Sequence, residues 1–239
     1  MGRLGGMMFR KVFLSVAVAL LVLGTVGCGG DADTGQTTTT TEAGTTTTAT
    51  SVVTTTTPIT TSSTSTTIVA PEDLRPIVVP TLPEEIPDYT EEDPATGLHM
   101  TGTPQVIDLA SYRLKVDGKV ATPLSLSYDE LRLLPKVTAT PTLVCQGFFV
   151  DVTTWSGVPL RTILEMAGVQ PDAERITMRG ADKYSFSLEL EEALAPENFL
   201  AYEWTDQPVP VLHGFPLRAV IPDKNGNAWV KWLLEIEVE

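Results

Sequence analysis

The chain has 239 residues, 42% of them hydrophobic, and carries 30 acidic against 16 basic side chains for a formal net charge of −14. Such an acidic balance argues against nucleic acid or an anionic membrane surface as a partner. Once the low-complexity start is set aside, the length leaves room for one domain with a sizeable core, and no internal repeat divides it.

Arg3, Arg10 and Lys11 make a positive start, and residues 12–26 form an apolar run of about 15 residues, short of the roughly 20 that cross a bilayer. The run ends in Thr25-Val26-Gly27-Cys28-Gly29, which resembles a bacterial lipobox with Thr25 where Leu is usual. The resemblance implies a signal peptide over 1–28, lipidation of Cys28, and a mature chain that is extracytoplasmic and anchored to the cell membrane. Arg10-Lys11-Val12-Phe13-Leu14-Ser15 resembles a twin-arginine export motif with Lys for the second Arg. That route carries proteins already folded around a cofactor; the general secretory route fits the same segment. Residues 29–69 are rich in Thr and Ser, with Glu42 the sole charge between 34 and 67, and cannot bury enough apolar area to order themselves. They read as a disordered linker spanning on the order of 35 Å. Residues 70–97 turn to proline and acid, which favours extended backbone that either packs on the domain or prolongs the stalk. Beyond Cys28 the 30 acidic residues face 13 basic ones, a net charge of −17.

The folded part runs from 98 to 239. Alternation predicts a strand over 112–116, with Asp117-Gly118 as a hairpin turn. Ser127-Tyr128-Asp129-Glu130 is a capping box opening a short helix that stops at Pro135. A strand over 137–144 leads to Cys145. Leu160, Ile163, Leu164 and Ala167 lie on one helical face within 159–167, and Gly168 ends that helix. Further strands are expected over 175–179, 184–188, 217–221 and 229–238, and a short helix over 190–195 before Pro196. Many short strands with few helices, in no strict βαβ order, make the fold class α+β with a mixed sheet.

Cys145 is the one cysteine outside the export segment. A lone thiol in an exported domain serves as an intermolecular bridge, a reactive thiol or a metal ligand, or is simply buried as a small hydrophobe. Arg218 and Lys231 stand in apolar segments, Phe215-Pro216-Leu217-Arg218-Ala219-Val220 and Trp229-Val230-Lys231-Trp232-Leu233. Buried cations need anions, supplied either by a carboxylate of the chain or by a bound ligand.

Several motifs in this order resemble the molybdenum cofactor domain of the sulfite oxidase family: Leu143-Val144-Cys145, Trp155-Ser156-Gly157-Val158-Pro159-Leu160, Leu200-Ala201-Tyr202-Glu203, Gln207-Pro208-Val209-Pro210, His213-Gly214-Phe215-Pro216-Leu217-Arg218 and Val230-Lys231-Trp232-Leu233. The resemblance implies a molybdenum–molybdopterin (Mo-pyranopterin) cofactor with one protein thiolate on the metal, a position matched by Cys145. It places His213 and Arg218 on the pterin and its phosphate, Lys231 near that phosphate, and Tyr184 at the position of an active-site tyrosine. A soft thiolate is a proper ligand for such a centre.

The departures from the family concern the substrate. Gly97-Leu98-His99-Met100-Thr101-Gly102 lacks the family's substrate-gripping arginine, and Gln146-Gly147-Phe148-Phe149-Val150 replaces a stretch with two arginines. A pocket that exchanges arginine for Phe148 and Phe149 is expected to reject a small dianion such as sulfite. Pro222-Asp223-Lys224-Asn225-Gly226 stands where the family has a glycine-rich turn. The expected function is oxygen-atom or two-electron transfer on a small molecule by an exported oxidoreductase. Electrons would pass to or from a separate redox partner protein, because two cysteines and two histidines make no second redox centre. The competing readings are a non-enzymatic lipoprotein that keeps the fold as a binding module, and a thiol redox protein, which would lack a resolving cysteine.

Overall fold

The computed structural model describes residues 74–239. The export segment with Cys28, the linker over 29–69 and the first residues of the proline- and acid-rich segment lie outside the described residues. The elements in chain order are β1 (Glu92–Asp93), β2 (Leu98–His99), β3 (Leu114–Gly118), β4 (Leu124–Leu126), α1 (Tyr128–Leu133), β5 (Val137–Ala139), β6 (Thr142–Cys145), β7 (Phe149–Val152) and β8 (Trp155–Pro159). There follow α2 (Leu160–Ala167), β9 (Arg175–Gly180), β10 (Ser185–Glu189), α3 (Leu190–Ala193), β11 (Phe199–Trp204), β12 (Gln207–Pro208), β13 (Arg218–Val220) and β14 (Leu233–Val238). Single turns of 3₁₀ helix stand at Val211–His213 and Gly226–Ala228.

Two sheets carry the domain. One has the order β10-β9-β14-β3-β4, and only β14 and β3 run parallel in it. The other has the order β12-β11-β8-β5, with β13 also pairing β11. The fold is thus α+β with mixed sheets. The predicted capping box is present: Ser127 and Glu130 bond each other's backbone N–H across the first turn of α1. On α2, Leu160, Ile163, Leu164 and Ala167 are all fully buried, and Gly168 closes the helix in the left-handed region at φ 67°.

Three predicted strands differ in extent. The strand from 112 does not turn at Asp117-Gly118: both residues pair with Glu237 and Val238 of β14, and the return to β4 takes residues 119–123. Long-range pairing there overrides a local turn signal. The strand over 137–144 is two strands, because Pro141 has no N–H to give a ladder. The first half pairs β8 and the second pairs β7. The last strand begins at Leu233 rather than 229, after Trp232 takes φ 50°.

Residues 74–97 lie against the domain. Ile77 packs on the main core, the Arg132 guanidinium donates to the Arg75 carbonyl (2.7 Å), and Thr90 and Met100 exchange backbone bonds with their neighbours (Thr90 N–H to Met100 O 2.8 Å, Met100 N–H to Glu91 O 2.7 Å). Asp93 is buried, and β1 pairs antiparallel with β2. A small second cluster, Met100, Leu212 and Trp232, fastens the residue that follows β2 to the turn at Val211–His213. Among the described residues no helix is long and apolar enough to cross a membrane.

Candidate active site

The hairpin of β6 and β7 carries the thiol. Opposed residues in an antiparallel pair share a face, and faces alternate along each strand. Cys145 stands opposite Phe149, and Leu143 opposite Asp151, and all four line one cleft. Val150 and Val152, on the other face, are exposed. Phe148 sits in the turn, its N–H on the Cys145 carbonyl (2.9 Å), and its ring is 68% exposed. Of the two phenylalanines that replace arginine, only Phe149 reaches the cleft. The Cys145 thiol is half-buried and free, and burial, then the Asp151 charge, push its pKa up.

A second wall is the turn Val211–His213. Its three carbonyls each take a donor from later in the chain: Val211 from the Trp232 indole (2.8 Å), Leu212 from Lys231 Nζ (2.9 Å) and His213 from Arg218 Nη1 (3.1 Å). Lys231 also donates to the Thr101 carbonyl. Gly214 makes this approach possible: at φ 113° it would otherwise put a Cβ within 3.1 Å of the Cβ atoms of both Arg218 and Lys231. The Arg218 guanidinium lies 4.5 Å from the centre of the Trp155 ring and 5.6 Å from that of Trp229, and Lys231 Nζ lies 4.7 Å from the Trp232 ring.

These two cations are buried, and neither forms an ion pair among the described residues. Among the described residues Arg218 Nε has no hydrogen-bond partner. Burial lowers the Arg218 pKa to about 9, against a weak opposing pull from Asp151, so the guanidinium stays charged at neutral pH. Burial, then repulsion from Arg218, holds Lys231 well below the ordinary lysine range. Asp151 is the one acidic side chain lining the cleft, and it is engaged by His99, so among the described residues neither Arg218 nor Lys231 has a carboxylate at ion-pair distance.

Both histidines line the cleft, each on a carboxylate. His99 Nδ1 lies 2.7 Å from Asp151 Oδ1, its backbone N–H donates to Asp151 Oδ2 (2.9 Å), and its ring stacks on Phe149 with centres 4.4 Å apart and planes 3° apart. His213 Nε2 lies 3.0 Å from Asp93 Oδ2 and 2.9 Å from Thr96 Oγ1. Burial, then the Lys231 charge, lower the His213 pKa to about 4, so it is neutral at pH 7 and its contact with Asp93 is a hydrogen bond rather than an ion pair.

Cys145, His213, Arg218 and Lys231 therefore meet around one cleft. Tyr184 is placed differently: it is 43% exposed, does not line the cleft, and its hydroxyl donates to the Asn227 carbonyl (2.8 Å). Lys224, in the altered turn, pairs with Glu192. Sequence reasoning missed Asp93, Thr96 and Asp151. Asp93 and Thr96 are separated by more than a hundred residues from the histidine they meet, and Asp151 looks like one of many surface acids. Its alternation with Phe149 on β7 was the only available signal.

Residues 99–239 match the oxidoreductase molybdopterin binding domain family. The chain is 31% identical over 156 residues to a protein of Azospira oryzae named "Putative protein-methionine-sulfoxide reductase subunit YedZ1", covering 65% of this chain and 59% of that one. It is 34% identical over 161 residues to mitochondrial sulfite oxidase of Drosophila melanogaster, covering 56% of this chain and 28% of that one. Among solved structures it resembles the sulfane dehydrogenase SoxCD from Paracoccus pantotrophus in fold, with TM-score 0.53 and 24% identity over 64% of this chain and 50% of that one. The chain thus spans well under two thirds of each of these relatives.

The residues fit the family's cofactor. A phosphate-bearing pterin would supply an anion for Arg218 and Lys231, and the unpartnered Nε would offer it a further donor. Among the described residues no group of three or more His, Cys, Asp or Glu is placed to hold a metal, so a metal bound at Cys145 would need donors from outside these side chains. On the match over 99–239 and on this fit, the chain belongs to the oxidoreductase molybdopterin binding domain family, as a sulfite oxidase-like molybdopterin oxidoreductase whose cofactor is molybdenum–molybdopterin.

Proposed function

We propose that the protein is an exported, membrane-tethered molybdenum oxidoreductase that acts on a small uncharged substrate rather than on sulfite. The observation that carries this reading is the lone Cys145 thiol in one cleft with two buried cations that have no carboxylate partner. The bound cofactor supplies oxygen-atom or two-electron transfer. The Cys145 thiolate would hold the metal, Arg218 and Lys231 would neutralise the phosphate, and His213 would contact the pterin. Phe149, stacked on His99, and Asp151 give the cleft an apolar and acidic wall, which disfavours a dianion and suits a neutral sulfoxide. The name of the Azospira oryzae relative gives that protein a sulfoxide substrate too, there a methionine sulfoxide carried on a protein. Electrons would be exchanged with a separate redox protein, and lipidation at Cys28 would hold the domain near a membrane partner.

Molybdenum per chain, measured on protein made with its own signal in a cofactor-producing host, tests the reading. A ratio near one is expected, with the metal lost and the unfolding temperature kept in Cys145→Ser. Metal retained in Cys145→Ser would overturn the thiolate's role, and a folded wild type without metal would favour a binding module. The loaded protein should reduce an organic sulfoxide in preference to oxidising sulfite, and the reverse preference would sink the substrate assignment. Cys28→Ser should move the chain from the membrane to the soluble fraction; an unchanged membrane fraction would exclude the lipid tether.

A further inference from the structure

We propose that Asp93, with Thr96, is a positioning residue that holds His213 as its neutral Nε2–H tautomer and so leaves Nδ1 a bare acceptor on the cleft wall. Both residues lie outside the family match, which begins at 99. An ionised carboxylate can only accept, so the proton in the 3.0 Å contact between Asp93 Oδ2 and His213 Nε2 belongs to the imidazole. Thr96 does not change this, because its hydroxyl lies 2.9 Å from the same Asp93 oxygen and donates there. Its oxygen then faces Nε2 as a second acceptor at 2.9 Å.

The carboxylate is itself held in place. Asp93 Oδ1 accepts the Ala95 N–H (3.0 Å), and its backbone carbonyl accepts the N–H groups of Thr96 (3.1 Å) and Gly97 (2.8 Å). These bonds tie the loop between β1 and β2 into a rigid acceptor. Ionisation of Asp93 is favoured by them: burial raises its pKa, but the Ala95, His213 and Thr96 bonds outweigh burial and lower it overall. A neutral imidazole with Nε2 protonated has no proton at Nδ1. Among the described residues Nδ1 has no partner, and His213 lines the cleft.

His99 is the opposite case. Its Nδ1 is the atom on a carboxylate, Asp151 Oδ1 at 2.7 Å, so the proton in that contact sits on Nδ1. The chain's two histidines thus turn opposite ring nitrogens to their carboxylates. The consequence for the ligand rests on the proposed cofactor reading: a bound pterin would meet His213 Nδ1 as an acceptor rather than as a donor. Loss of the partner behind a metal-ligating histidine typically costs about 10–100-fold in metal affinity, and the lower end of that range is the expectation for a histidine that would contact the pterin instead.

The tautomers can be read directly, since the chain has only two histidines. The test records ¹⁵N imidazole spectra of the full chain at pH 7, with and without cofactor, using His99→Gln for assignment. The expected result is an Nε2–H pattern for His213 and an Nδ1–H pattern for His99. An Nδ1–H or doubly protonated His213 in the wild type would overturn the proposal without any variant. Asp93→Asn keeps the side-chain shape but adds a donor, and should give a mixed or reversed His213 pattern with molybdenum per chain lowered about tenfold. An unchanged Nε2–H pattern in Asp93→Asn would also overturn it. Expected tautomers in a wild-type protein that takes up no molybdenum would refute the cofactor reading and leave this one standing.

Discussion

His213 is 2% exposed, and burial together with the Lys231 charge lowers its pKa to about 4, whereas an unfolded histidine titrates near 6.5. Above pH 6.5 both states are neutral, and the group adds no pH dependence. Between 6.5 and 4 the unfolded chain binds the proton first, so stability falls with added acid by about 1.4 kcal/mol per pH unit. Asp93 acts further down: its folded pKa is lowered, so its contribution is lost as pH falls through and below 3.8. Urea unfolding from pH 7 to 5 should therefore show wild type losing about 2 kcal/mol relative to His213→Gln. A constant gap between the two would mean that His213 is already charged in the folded protein. The same residue shows what sequence can tell. The motif around His213 and the apolar settings of Arg218 and Lys231 were legible because each is a local pattern. Their carbonyl and carboxylate partners were not, because they are brought in by β1, β2 and the turn at Val211–His213.

At the scale of elements, the helices were the most legible part. A capping box, an apolar stripe and a glycine stop are all written within a few residues of α1 and α2. Strands β8 and β11 were hidden for a physical reason. Both are buried on two faces, so neither alternates, and Gly157 further weakens the strand signal of β8. That glycine is structural. A Cβ on it would stand 1.9 Å from the Leu200 carbonyl oxygen in the paired β11. Gly157→Ala must push apart the two central strands of the second sheet, and should cost more than about 3 kcal/mol or abolish soluble expression. A denaturant midpoint equal to wild type would show that the pair can part without cost.

For the whole molecule, the segment ahead of the family match belongs to the folded unit. It supplies Asp93 and Thr96 to His213, Ile77 to the core, and backbone pairing to Met100. A chain that starts at residue 98 should melt several degrees lower than one that starts at 70 and should bind less molybdenum. Equal melting temperatures would make the segment a mere extension of the linker. The turn at Val211–His213 matters at this scale too. Its three carbonyls are engaged by Trp232, Lys231 and Arg218 within the chain itself. The entropy of ordering that wall is therefore spent during folding, before any ligand arrives. A cofactor entering the cleft meets a preorganised surface, and its contacts there count toward affinity with little deducted for conformational search.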